Sequence, residues 1–326
     1  MLYLLFFIIL LAAELVYFAI ADRYNIIDHP NERSSHKRIT LRGGGIIFSI
    51  GAIVFFLTNH FQYPFFMLGL VAITTISFAD DIKPRSNKLR VWIHFVAVAL
   101  LMYQLDLFVY PWYWWLLAFV LCIGIINAYN FMDGINGITT GYSFTVLAAL
   151  YVLNLEMKVF NDNLLICLAL ANLVFSFFNF RKRAKCFAGD AGSVSMAYCL
   201  LFLTTCVIHN AGAIFFILLF AVYGVDTVLT IIHRLMKGEN IFKAHRQHLF
   251  QYLVNEKKWS HISVSALYMA VQAVISTGVI LLWKKEVTTQ WLYAAVVLFT
   301  LALVHIVVKG RILKEIAKPT AGLAVK

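Results

Sequence analysis

SVSMAYCLLFLTTCVIHNAGAIFFILLFAVYGVDTVLTI, residues 193–231, reads as two apolar runs, 193–209 and 211–231, folded back at His209-Asn210-Ala211-Gly212. Each has the ~17–25 residues that an α-helix needs to cross a bilayer. In hydrocarbon every backbone polar group must be satisfied within the structure, which leaves helices and closed barrels as the spanning elements. The pair therefore predicts two antiparallel spans. The same reading outward along the chain adds 2–21, 44–60, 63–79, 91–105, 112–128, 138–155, 163–180, 262–283 and 290–308. Composition agrees: 62% of the 326 residues are hydrophobic and 13% charged, where a soluble chain carries about a quarter charged. The expected fold is all-α, a polytopic membrane protein of about eleven transmembrane helices in one domain, 1–326. There is no internal repeat and no separate soluble domain, the longest stretch outside the spans being about 232–261. Ala19-Ile20-Ala21 would suit a signal-peptide cleavage site, but no basic residue precedes Arg23 and the run is long for a signal, so a retained first helix is expected.

The net charge of +11 is unevenly distributed. Of 27 Lys and Arg, 24 fall in the loops after spans one, three, seven and nine and in the tail. Lys158, Lys284 and Lys285 fall on the other side. The positive-inside rule then places the N-terminus outside, with the C-terminus and the basic loops in the cytoplasm. Cys122, Cys167, Cys199 and Cys206 lie in spans and Cys186 in a reducing loop, so no disulfide framework or CxxC metal site is expected.

The polar chemistry gathers at five helix ends on that same face. HPNERSSHKRITLRGGGI (29–46) is basic and ends in Gly43-Gly44-Gly45, a pattern that suits phosphate binding by amide N–H groups, or equally an ordinary positive-inside loop. SFADDIKPRSNKLR ends span three with adjacent Asp80 and Asp81. Two carboxylates at the negative end of a helix dipole repel each other and the dipole, so a cation or basic ligand is the expected reason for them. In NAYNFMDGINGITTG, Asn127, Asn130 and Asp133 recur every three residues, which puts them near one helical face, with Gly134 and Gly137 allowing close approach of a ligand. RKRAKCFAGDAGS sets Phe187, Gly189 and Asp190 before span eight, where an Asp is also a plausible cap. FKAHRQHLFQ carries His245, Arg246 and His248. The histidines lack a third zinc ligand nearby, and with Arg246 they suit a pyrophosphate. Asp226, within span nine, is an intramembrane acid with Arg234 or a neighbouring helix as its candidate partner.

In this order the clusters resemble the polyprenyl-phosphate N-acetylhexosamine-1-phosphate transferases, glycosyltransferase family 4, which include phospho-N-acetylmuramoyl-pentapeptide transferase. The resemblance runs from about His29 to Gln251. It implies a cytoplasmic active-site cleft open to the bilayer, holding Mg²⁺ (with Mn²⁺ able to substitute), a UDP-amino-sugar and undecaprenyl phosphate. Carried over motif by motif, Asp80, Asp81, His245 and His248 are the expected catalytic residues. Asn130 and Asp190 are the expected metal ligands. Asn127, Asp133, Asn136, Phe187, Arg246 and Lys88 are the expected substrate contacts, with Phe187 stacking on uracil. Asn136 stands where many members carry a second Asp, and HRQHLFQ replaces a run of three histidines, which speaks against the peptidoglycan enzyme. The implied reaction moves N-acetylglucosamine-1-phosphate or a related sugar-1-phosphate to the lipid and releases UMP. It would start a surface glycan such as O-antigen (in lipopolysaccharide), capsule or teichoic acid, at the bacterial inner membrane. Membrane lipid is an expected partner, nucleic acid is not, and a homodimer is compatible with the sequence. A transporter is the rival class. Transport sites sit near the midplane in broken helices, whereas here the polar residues collect at helix ends.

Overall fold

The computed structural model describes residues 1–28, 35, 39–241, 243 and 245–317. Most of the 29–38 part of the first polar cluster, and the tail from 318, lie outside them. The chain folds into α1 (Leu2–Arg23), a two-residue antiparallel pair β1 (Ile27–Asp28) and β2 (Thr40–Leu41), α2 (Ile46–Thr58), α3 (Pro64–Ile82), α4 (Asn87–Gln104), α5 (Trp112–Met132), α6 (Ile138–Met157), α7 (Asp162–Asn179), α8 (Gly189–Ala211), α9 (Ala221–Met236), α10 (Leu249–Asn255), α11 (His261–Leu282) and α12 (Val287–Ala317). Short 3₁₀ turns at Leu107–Val109 and Ile214–Phe220 lead into α5 and α9.

Each of the eleven expected spans coincides with one helix, the ninth including the 3₁₀ turn. Among the described residues nine are long and apolar enough to cross a membrane. The other two are α2, with 13 residues, and α4, whose first turn carries Lys88 and Arg90. The protein is thus an all-α multi-pass membrane protein. The outward faces are apolar, as lipid contact requires: Leu292, Val296, Phe299 and Leu303 of α12 are exposed.

At the centre stands α8, with seventeen of its twenty-three residues buried. It packs against α2, α3, α5 and α6, while α11 lies on α6 and α12 on α9. Such close packing in a bilayer relies on small residues at crossings. At the start of α8 a Cβ on Gly45 would lie 2.4 Å from the Gly192 Cα, and one on Gly192 would lie 2.6 Å from the Gly45 Cα. Only glycines permit this crossing. It brings the first turn of α8 against the loop before α2. The Gly44 and Gly45 N–H groups donate to the carbonyls of Phe187 and Ala188, and the Phe187 N–H donates to Leu41 O. The Gly44 and Gly45 amides offered above for a phosphate thus serve to join two loops of the protein.

Candidate functional site

The C-terminal ends of α3, α5 and α7 and the N-terminal end of α8 meet on one side of the bundle. Asp80 and Asp81 close α3. Asp81 is fully buried at its side chain: it accepts from Arg42 Nε at 2.7 Å and from the backbone N–H groups of Asp190 and Ala191 at 2.9 and 3.0 Å. It therefore caps α8 from another helix. The unfavourable position at the end of α3 is also the favourable, positive end of α8, a structural reason for the acidic pair beyond the cation or basic ligand expected from the sequence. Asp80 lies nearer the rim. It accepts from the Arg85 N–H at 2.6 Å and from Arg90 Nη1 at 2.9 Å.

Asp190, in the first turn of α8, joins the two halves. Arg42 Nη2 reaches its Oδ1 at 3.3 Å and Arg90 Nη2 its Oδ2 at 2.7 Å. The resulting order, Asp80–Arg90–Asp190–Arg42–Asp81, alternates charge through two guanidinium forks, a geometry that Arg makes well and Lys does not. Burial pushes the Arg42 guanidinium down, but Asp81, Asp190 and Asp28 outweigh it and hold its pKa above the ordinary arginine value. Arg42 is a permanent cation here.

Beside this chain of charges lies a polar cavity of about 230 Å³. Of the residues singled out in the sequence, Asn130, Asp133, Asn136, Phe187 and Asp190 line it, together with Arg42. Asn130 donates from Nδ2 to Asp190 Oδ2 at 3.3 Å and accepts at Oδ1 from Ser193 Oγ at 3.2 Å. Asp133 accepts from the Thr139 hydroxyl at 2.6 Å. Burial pushes its pKa up to about 7, with Thr139 opposing and the Asp190 and Asp81 charges adding to the rise.

The other expected residues stand differently. Asn127 donates to Ile123 O of its own helix and so is turned back along α5. Asn136 uses its side-chain amide on the carbonyls of Arg181 and Lys182 and its N–H on His261 Nδ1, which makes it a bracket between loops as well as cavity wall. Lys88 is exposed, and Arg90, two residues on, is what enters the acidic cluster. Arg246 pairs with Glu256 at 3.4 Å. His245 and His248 stand 5.0 Å apart beside Phe131, the neighbour of Asn130. From the late motif it is Gln251 that lines the cavity. Burial, with His248, Arg234 and Lys309 adding to it, pushes His245 down to about 4.

The sequence reading passed over Arg42, Arg90, Asn179, Gln251 and His261. Asn179 accepts from the Gly137 N–H at 2.8 Å and donates to Cys186 O at 2.9 Å, tying the third and fourth clusters together. It also passed over Glu14, an acid buried in α1 beside the Cys186 thiol. Only Arg42 carried a signal, standing directly before the triple glycine.

No three His, Cys, Asp or Glu among the described residues are grouped to hold a metal on their own. The oxygen donors of Asp190 and Asn130 nevertheless fit a hard dication that takes one or two protein ligands and completes its shell with phosphate oxygens. A half-turn of the Asn130 amide, whose nitrogen now faces Asp190 Oδ2, presents its oxygen beside that carboxylate.

The fold and the cavity together describe a multi-pass membrane bundle with a polar site at its helix ends. The profile of glycosyl transferase family 4 matches residues 63–209, which include Asp80, Asp81, Asn130 and Asp190. The chain is 26% identical over 310 residues to a probable undecaprenyl-phosphate N-acetylglucosaminyl 1-phosphate transferase of Bacillus subtilis, covering 88% of this chain and 85% of the relative. It is 23% identical to the undecaprenyl-phosphate alpha-N-acetylglucosaminyl 1-phosphate transferase of Yersinia pestis, over 80% and 78% of the two chains. A phospho-N-acetylmuramoyl-pentapeptide-transferase of Lactiplantibacillus plantarum is 26% identical, but over 52% of this chain and 53% of its own. The chain is thus an enzyme similar to the members of glycosyl transferase family 4 over residues 63–209 and to these transferases over most of its length.

Proposed function

We propose that this enzyme transfers a sugar-1-phosphate, N-acetylglucosamine-1-phosphate or a related N-acetylhexosamine-1-phosphate, from a UDP-sugar to undecaprenyl phosphate. An oxygen of the lipid phosphate attacks the sugar-proximal phosphorus, the bond to the UMP oxygen breaks, and UMP leaves. The observation that carries the reading is the alternating Asp80–Arg90–Asp190–Arg42–Asp81 chain beside a polar cavity at the helix ends. Two phosphate-bearing substrates must meet there, and fixed cations are what stabilise charge on a transferring phosphoryl group. The lipid phosphate, a monoester with a second pKa of ~6, is largely ionised at neutral pH without a strong base.

In this reading Arg42 and Arg90 move from carboxylates to phosphate oxygens as substrates bind. Phe187 and Asp133 receive the nucleoside side, and Asn130 with Asp190 hold Mg²⁺, which when bound neutralises diphosphate charge. The cavity is smaller than the ~300–1,000 Å³ of whole small-molecule sites, so it accommodates one part of the donor. The full-length relatives named for N-acetylglucosaminyl 1-phosphate transfer favour that donor over the pentapeptide-bearing one, whose likeness covers half the chain. The distribution of Lys and Arg supports a cytoplasmic site in the bacterial inner membrane, with the N-terminus outside.

The test is UMP release by purified enzyme with a panel of UDP-amino-sugars, with and without undecaprenyl phosphate and Mg²⁺, and mass spectrometry of the lipid product. Release that needs all three supports the proposal. UMP release indifferent to the lipid, or a product formed only from the UDP-muramoyl-pentapeptide, overturns it. Cysteines at Ser86 and Lys257 should resist impermeant thiol reagents in intact cells while one at Asn161 reacts.

A further inference from the structure

Asp226 in α9 is a buried acid that the site above does not use. Its Oδ1 accepts from the Leu249 N–H at 3.0 Å, from Thr230 Oγ1 at 3.3 Å and from His248 Nδ1 at 3.3 Å. Its Oδ2 accepts from the Tyr268 hydroxyl at 2.7 Å. His305 Nε2 of α12 stands 3.4 Å from the same Oδ1, and Lys309 Nζ donates to Thr230 Oγ1 at 3.4 Å. Residues from α9, α10, α11 and α12 thus converge on one carboxylate. Arg234, the partner suggested by sequence, turns instead to Glu239 and to the carbonyls of Asn240, Ile241 and Lys243.

A carboxylate can only accept, so the His248 contact requires the proton on Nδ1. The His248 side chain also stands where it can accept from the Gln251 N–H in a capping box, but that amide has a second acceptor in His248 O at 3.1 Å, whereas the carboxylate can be met only by a donor. The ring's other nitrogen, Nε2, is buried and has no hydrogen-bond partner among the described residues, which is uncommon for a polar atom in a protein interior. The ring lies against Phe131, within three residues of both Asn130 and Asp133.

We infer that Asp226, braced from α12 by His305 and Lys309, is a positioning residue that fixes His248 as its Nδ1–H tautomer and leaves Nε2 as the nitrogen available to a bound substrate. The catalytic part of this inference rests on the transferase reading; the tautomer does not. It gives the terminal helix, far along the chain from every motif, a part in ordering the site.

The experiment is ¹⁵N NMR of the full-length, histidine-labelled protein in nanodiscs, with His248→Gln to assign the signal. The parent should show a protonated Nδ1 and a bare Nε2 at His248, and Asp226→Asn should convert it to the other tautomer or a mixture. In the transferase assay Asp226→Asn should lower kcat about 30-fold or more while KM for the UDP-sugar changes less than threefold, with Asp226→Glu recovering part of the loss. Should Asp226→Asn fail to fold, Tyr268→Phe, which frees the second carboxylate oxygen, should raise the minor tautomer. A parent protonated at Nε2, or a tautomer and kcat unchanged in Asp226→Asn, overturns the inference. An inactive parent that still shows Nδ1–H would overturn the reaction and leave the tautomer assignment standing.

Discussion

Replacing Asp81 by Asn tests the double duty of the acidic pair, because the two aspartates stand in different surroundings. Asp81 receives three donors: Arg42 Nε and the N–H groups of Asp190 and Ala191. Asn keeps one acceptor oxygen and turns a donor toward the others. The lost charge-assisted bond is worth about 1.5–3 kcal/mol and a stranded buried N–H about 1–3 kcal/mol. Neighbouring losses do not add fully, so ~3–5 kcal/mol is the expected cost to the geometry at the start of α8. At ~1.4 kcal/mol per tenfold, turnover should fall at least 10²-fold, with a lowered thermal midpoint. Asp80→Asn is different. It keeps an oxygen for the Arg85 N–H, and Arg90 retains Asp190, so stability should change by about 1 kcal/mol or less while turnover still falls tenfold or more. UMP release and thermal unfolding of both variants, from about pH 6 to 9.5 at saturating Mg²⁺, provide the comparison. Neither variant should regain tenfold at high pH, since a nucleophile already ionised near pH 7 gains little from a base. The reasoning is refuted if Asp81→Asn keeps turnover within threefold of the parent, or if both variants lower the midpoint equally.

Gly189 has φ +70°, and a Cβ there would lie 2.5 Å from Asp81 Oδ2. Left-handed backbone costs a non-glycine residue roughly 1–2 kcal/mol and the clash adds to it, so Gly189→Ala should cut turnover about tenfold or more and speed proteolysis of the 181–190 loop; parent-like values would contradict the cap. Asp133, raised to about 7 against an ordinary value of 3.8, binds its proton more tightly in the folded state. Its contribution to stability is therefore full below about pH 4 and lost as pH rises through about 7. Asp133→Asn should lose less thermal stability than the parent between pH 5 and pH 8, and an equal loss would disprove the shift. His245 is lowered to about 4 from 6.5, so the unfolded state takes its proton first and stability falls as pH drops from about 6.5 to 4. His245→Gln should flatten that acid limb, as followed by unfolding midpoints, and leave unchanged any pH–rate limb lying above pH 6.

Hydropathy made the helices legible because lipid leaves a chain few alternatives: each apolar run had to become a helix. Nothing in hydropathy separates a full crossing from α2, whose thirteen residues stop at Thr58. The acidic and amide residues of the site were legible for a related reason. Asp80, Asp81, Asn130 and Asp190 stand at helix ends where bulk packing does not call for them. The arginines were not. A Lys or Arg in these loops already satisfies the orientation rule, so Arg42 and Arg90 looked like topology signals among many, and only the fold distinguishes Arg90 from exposed Lys88. His305 and Lys309 were hidden in the same way inside α12, where their partners Asp226 and Thr230 each lie 79 residues away along the chain.

The division between Asp80 and Asp81 follows from helical geometry more than from the residues themselves. Adjacent positions on a helix point about 100° apart, a consequence of 3.6 residues per turn. One carboxylate thus turns into the bundle, where the free N–H groups at the start of α8 receive it, and the other stays near the rim with Arg90. Those first N–H groups have no partner within their own helix, and Asp190 occupies the same turn. The capping carboxylate and the cavity carboxylate are therefore held by one short segment, Gly189–Ala191, whose path depends on a left-handed glycine and on the Gly45–Gly192 crossing. A site assembled this way is rigid where α3, α8 and the loop before α2 meet. Its adaptable parts are the arginine side chains: Arg42 and Arg90 retain partial exposure and can leave a carboxylate for a phosphate without moving a helix.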